Sequence, residues 1–139
     1  MRITTDTNVL ISSTFWEGAS DKIMQKVENK EVELVLSKEL ISEFTKVLGY
    51  DEIKDKIKDK NLEVRRSVEK IVSISTIVES SQKFEIVKDD PDDNMVINCA
   101  AEGDVDYVVT QDNHLLKIKE FKGIKILNPE EFLEIFEKV

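Results

Sequence analysis

The chain has 139 residues, of which 40% are hydrophobic, and it carries one cysteine and a formal net charge of −9. Its length supports one domain over residues 1–139, and the lone Cys99 excludes an internal disulfide or a cysteine-based zinc site. Because no apolar run reaches the roughly 18 residues that cross a bilayer, we expect a cytoplasmic protein without membrane contact. The negative charge argues against broad electrostatic binding to nucleic acid, although a bound metal ion adds local positive charge and leaves a nuclease possible.

The first stretch of the chain predicts a strand that ends in a single acid. Residues 2–5 are compatible with a strand, Asp6 follows directly, and the next residues suit a turn into a helix. In open α/β sheets, ligands bind just beyond the carboxyl ends of the strands, which makes an acid at this place informative. An Asp followed by Thr7 and Asn8 is also an ordinary helix cap, and both interpretations stay open at this point.

A second strand over residues 33–36 leads into a helix over residues 38–48. Ser37 is the expected N-cap of that helix, and Gly49 ends it. Glu43 lies at the border of the apolar stripe and can therefore reach inward over the edge of the sheet. Residues 51–72 predict one broken helix or two consecutive ones, and a third strand is expected over residues 75–78.

The acidic run before residue 94 predicts a helix start with one acid turned inward. Pro91 fits the first position of a helix with Asp90 as its cap, and Asp92 suits the positive end of the helix. Asp93 instead falls at the centre of the apolar stripe, which is formed by Val96, Ile97 and Ala100. An inward carboxylate is unfavourable unless it is paired, hydrogen-bonded or bound to a metal, so Asp93 is the strongest candidate of the run.

The last part of the chain repeats the pattern of the first. Residues 106–110 predict a central strand, and Asp112 stands just past its end as Asp6 does after the first strand. His114 is the only histidine, and its isolation favours a surface or packing role over metal ligation. Residues 125–127 predict a final strand, and a cap at residue 128 with a capping box opens the final helix.

Strands separated by helices predict a three-layer α/β/α fold with a central, mostly parallel sheet of four to five strands in the order 3-2-1-4-5. In that order, strands 1 and 4 flank the point where the strand order reverses, and Asp6 and Asp112 lie side by side. Asp93 and Glu43 would join them. Clustered carboxylates raise each other's pKa, and oxygen ligands of this kind suit Mg²⁺ or Mn²⁺, which in turn suits phosphodiester hydrolysis.

Four stretches of the chain resemble the PIN-domain ribonucleases, in the VapC-like branch that forms the toxin component of toxin-antitoxin pairs. They are Asp6-Thr7-Asn8-Val9-Leu10, Ser37 through Glu43, Asp90-Pro91-Asp92-Asp93-Asn94 and Val109-Thr110-Gln111-Asp112. The resemblance implies a metal-dependent endoribonuclease that acts on single-stranded RNA, with an antitoxin partner and a tendency to form homodimers.

The resemblance also implies the residues of the site. It assigns Asp6, Glu43, Asp93 and Asp112 as catalytic acids and metal ligands, and Asn8 and Thr110 as residues that support the pocket by hydrogen bonding. Because four aspartates stand between residues 89 and 93, Asp90 or Asp92 could supply or assist the third acid. Other roles compete with the toxin role: a PIN-like nuclease of RNA processing or surveillance, and a metal- or RNA-binding module without catalysis.

Overall fold

A computed structural model of the chain describes residues 1–59, 63–79 and 91–138. The strands are β1 (Arg2–Thr5), β2 (Glu33–Ser37), β3 (Ser75–Val78), β4 (Tyr107–Val109), β5 (Glu120–Phe121) and β6 (Ile124–Leu127). The helices are α1 (Thr7–Phe15), α2 (Ala19–Glu28), α3 (Lys38–Leu48), α4 (Asp51–Asp59), α5 (Val64–Ser73), α6 (Pro91–Glu102), α7 (Asn113–Ile118) and α8 (Pro129–Glu137).

These strands form one sheet in the order β3-β2-β1-β4-β6-β5, with helices packed against it. All neighbouring pairs are parallel except β5 with β6. The mostly parallel α/β fold is therefore confirmed, and so is the predicted order, because the expected fifth strand is β6. The reversal of strand order lies between β1 and β4, where the sequence predicts that Asp6 and Asp112 lie side by side.

The predicted number of four to five strands is wrong, since the described part of the sheet has six. The additional strand, β5, has only two residues and pairs with β6 across a turn at Lys122 and Gly123. Both turn residues have positive φ, 49° and 83°, as two-residue hairpin turns require. A strand of two residues carries no alternation of polar and apolar side chains, so the sequence pattern does not reveal it.

The core lies between the sheet and its helices. Leu34, Val35 and Leu36 of β2 are fully buried, as are Val108 and Val109 of β4. Helix α6 packs against β1, β2 and β4, whereas α1 packs against α2 and α3. No helix in the described ranges is both long and apolar enough to cross a membrane.

Close packing of α6 on the sheet explains the glycine that follows this helix. A Cβ atom at Gly103 would lie 2.6 Å from Cγ1 of Val35 on β2. Only a glycine therefore lets the chain leave α6 this close to the sheet. The approach fixes the position of α6, whose first turn carries Asp93.

Several local predictions are confirmed. The Ser37 side chain accepts a hydrogen bond from the backbone N–H of Leu40 and caps α3, and Asn128 and Glu131 form the capping box of α8. The described residues of the segment over residues 51–72 form two helices, α4 and α5. The predicted cap at Asp90 lies outside the described residues.

Candidate metal-binding site

Asp6 and Thr110 follow two adjacent strands at the same edge of the sheet. Strands β1 and β4 are paired in parallel, with Thr5 opposite Val109, so the next residue of each strand emerges side by side. The Thr110 hydroxyl donates a hydrogen bond to Oδ2 of Asp6 and accepts one from the backbone N–H of Asp112, at 3.0 Å. One fully buried hydroxyl thus links the two strand ends that carry Asp6 and Asp112.

Asp6 is both a helix cap and a buried acid. Its Oδ1 accepts a hydrogen bond of 2.9 Å from the backbone N–H of Val9, which caps α1, and the residue is only 6% exposed. Burial raises the pKa of Asp6, and the negative charge of Asp112 adds to this effect, while the hydrogen bonds from Thr110 and Val9 oppose it. The cap interpretation is therefore confirmed, and a role for Asp6 in ligand binding stays a prediction.

Asp93 is turned toward the core, as its place in the apolar stripe predicts. It lies in the first turn of α6 and is 4% exposed, whereas its neighbour Asp92 is exposed. The packing of α6 against β1 and β4 carries Asp93 to the edge of the sheet where Asp6 and Asp112 lie. A capping role alone does not require this burial, since a first-turn acid interacts with the helix end from solvent as well.

One cleft of about 170 Å³ brings the four predicted acids together. It is lined by Asp6, Thr7, Asn8, Glu43, Val47, Asp92, Asp93, Val96 and Asp112. Glu43 is half-buried and comes from α3, on the same side of that helix as Val47. Asn8 and Asp92, both predicted as supporting residues, also line the cleft, and Asp90 lies outside the described residues. The described lining contains no lysine or arginine, so its negative charge is not balanced from within the cleft.

A larger depression of about 590 Å³ lies elsewhere, between the start of β4 and the turn before β6. It is open, and its lining includes acids such as Asp106 as well as the lysines Lys122 and Lys125. It is at the amino ends of the parallel strands, where ligands of open α/β sheets are not found. Size alone therefore does not locate the functional site, and the chemistry of the lining favours the smaller cleft.

His114 lies at the cleft, although the sequence favoured a surface or packing role for it. Its Nδ1 is 4.0 Å from Oδ2 of Asp93 and 3.8 Å from Oδ1 of Asp112. The short helix α7 produces this placement, because Asp112 caps it and accepts a hydrogen bond of 2.7 Å from the His114 backbone N–H. Six residues of helix carry too little periodicity to be predicted, and the capping ability of Asp112 is the one signal that indicates it.

The donor set fits a divalent cation. One ligand atom each of Asp93, Asp112 and His114 lies within 4.8 Å of the others, among the residues that the structure describes. Carboxylate oxygens are the ligands that Mg²⁺ and Mn²⁺ prefer, and an ion there would also offset the unfavourable burial of Asp93 and Asp6.

Comparison with known proteins gives a family and a fold. The family described as PIN domain matches residues 2–114. A comparison with curated proteins finds no match. Among solved structures, the chain is similar to the crystal structure of VapBC2 from Rickettsia felis bound to a DNA fragment from their promoter, with 12% identity, a TM-score of 0.60, and coverage of 92% of this chain and 98% of that chain. At this identity the likeness shows the fold alone.

The link made by Thr110 predicts a specific stability difference. Thr110→Val removes one of the hydrogen-bond donors of the buried Asp6 carboxylate and the side-chain acceptor of the Asp112 N–H, so we expect a loss of roughly 1–3 kcal/mol in the free energy of unfolding. Thr110→Ser keeps the hydroxyl, and urea unfolding of the metal-free protein should show most of that stability retained.

Thr5, the last residue of β1, provides the matched control. Its hydroxyl is also fully buried, but it has no hydrogen-bond partner among the described residues. Thr5→Val should therefore leave the stability unchanged or raise it. Equal losses in Thr110→Val and Thr5→Val would contradict the assigned role of the Thr110 hydroxyl.

Proposed function

The chain belongs to the PIN domain family, and on this premise we propose that it is a metal-dependent endoribonuclease that hydrolyses phosphodiester bonds of single-stranded RNA. Nuclease activity is the property of the family, and the resemblance of the four sequence stretches supports RNA as the substrate. The observation that carries the proposal is the convergence of Asp6, Glu43, Asp93 and Asp112 in one cleft. We propose Mg²⁺ or Mn²⁺ as the cofactor because the lining offers hard oxygen ligands.

Each residue has a distinct part in the proposed mechanism. When bound, the divalent ion supplies charge stabilisation to the phosphate and acidifies water. Thr110 holds the Asp6 carboxylate in place, and α6 fixes Asp93 at the buried end of the cleft. We propose that Glu43, which lines the same cleft from a different helix and is less buried than Asp93, accepts the proton of the attacking water.

The charge of the chain predicts how RNA binding depends on metal. With a net charge of −9 and a cleft lined by acids, the metal-free protein repels the RNA backbone. Positive charge at the site must therefore accompany the substrate, and chelation of metal should reduce both binding and cleavage.

Cleavage of labelled single-stranded RNA tests the proposal. The native chain should cut in Mn²⁺ or Mg²⁺ and stop in EDTA, and Asp6→Asn and Asp93→Asn should each lower the rate on the order of 100-fold or more because they remove a proposed ligand. Asp55→Asn, which removes an exposed acid from α4, changes the net charge equally and should cut at the native rate.

Three results would count against the proposed metal-dependent nuclease site. Cleavage that persists in EDTA, or in both aspartate variants at the rate of Asp55→Asn, would exclude these acids as the catalytic site. Tight metal binding by a native chain that cuts no RNA would favour the binding module without catalysis.

We further propose the toxin role, with an antitoxin protein as partner and the cytoplasm as the site of action. The resemblance to the toxin branch supports it, and so does the similarity in fold to VapBC2, which was crystallised with promoter DNA. A homodimer, and a single domain over residues 1–139, both remain predictions. A nuclease of RNA processing or surveillance is the alternative role.

Expression of the chain in a bacterial host separates these roles. A toxin should arrest growth when expressed alone, and Asp93→Asn, which lacks the proposed ligand, should not. Normal growth with the native chain at the same protein level, in the presence of active nuclease, would favour the processing role.

A further inference from the structure

His114 joins the acidic cleft at its open side. The exposed fractions of the three side chains increase across the cluster, from 6% for Asp93 through 26% for Asp112 to 67% for His114. The buried acid therefore forms the base of the cluster, and the imidazole lies at its mouth.

The distances suit a shared ion better than direct hydrogen bonds. Nδ1 of His114 is 4.0 Å from Asp93 Oδ2 and 3.8 Å from Asp112 Oδ1, and both distances are too long for a hydrogen bond. Two ligands that each lie about 2.1 Å from one ion are separated by roughly 3 to 4.2 Å. Both His114 distances fall in this range.

The backbone holds the imidazole in this place. Asp112 caps α7 through the hydrogen bond from the His114 N–H, so the proposed ligand Asp112 also positions the residue two places later. Asp112 and His114 therefore act as one unit on the cleft.

We propose that Nδ1 of His114 is a ligand of the metal ion and that it biases the site toward Mn²⁺ and later first-row ions over Mg²⁺. This inference rests on the proposed function, in which the cleft holds a divalent ion. Magnesium binds oxygen ligands almost exclusively, whereas imidazole nitrogen suits transition metals, whose affinities rise from Mn²⁺ to Cu²⁺. Replacing one oxygen ligand by nitrogen thus changes which ion the site selects.

Metal titration of the full chain tests the inference, with Mn²⁺ and Mg²⁺ each added alone and binding measured by calorimetry. His114→Gln should weaken Mn²⁺ binding about tenfold or more and Mg²⁺ binding less than about threefold. Lys117→Gln is the matched control, because it removes an exposed polar side chain from the same helix, and it should leave both affinities within about twofold of the native values.

Pulsed electron paramagnetic resonance of bound Mn²⁺ should show coupling to one imidazole nitrogen in the native chain and in Lys117→Gln, and none in His114→Gln.

The outcomes distinguish failure of the proposed role of His114 from failure of the proposed metal site. Tight Mn²⁺ binding without nitrogen coupling, or equal weakening of both ions in His114→Gln, would overturn the role of His114 and leave the acidic site intact. Stronger binding of both ions in His114→Gln would likewise overturn the proposed role of His114 as a ligand. Failure of the native chain to bind either ion would overturn both the inference and the proposed function.

Discussion

The hydrogen bonds of the Thr110 hydroxyl are the constraint on which the arrangement of the cleft depends. Strands β1 and β4 are neighbours at the point where the strand order reverses, and their backbone pairing ends at Thr5 and Val109. Beyond that point, Thr110 binds the Asp6 carboxylate and the Asp112 backbone together. The two acids then serve as caps of α1 and α7, so the same contacts orient the helices and the site.

This arrangement places negative charge where the metal-free protein tolerates it poorly. Asp6 and Asp93 are both more than nine-tenths buried, and burial together with the charge of Asp112 raises the pKa of Asp6. Burial of these acids is unfavourable without a compensating charge, and the proposed divalent ion would supply that charge.

Features with a local signal could be predicted from the sequence, and features that depend on tertiary contacts could not. The strand ends and the Ser37 cap follow from residue type, and the inward turn of Asp93 follows from the period of its helix. Strand β5 and helix α7 are too short for any period to develop, so their existence depends on pairing with β6 and on capping by Asp112. The acids beside His114 come from α6 and from the turn after β4, so their proximity to it also depends on tertiary contacts.

The central claim is that the buried acids form a metal site, and thermal unfolding of the native chain and Asp6→Asn tests it most directly. Because the pKa of Asp6 is raised in the folded state, the stability it contributes is present below about pH 3.9 and is lost as the pH rises through the raised value. At pH 7, saturating Mn²⁺ should raise the Tm of the native chain above its value in EDTA, and it should raise the Tm of Asp6→Asn much less because this variant lacks one proposed ligand. An equal rise of both Tm values with Mn²⁺, or no rise for the native chain, would contradict the account.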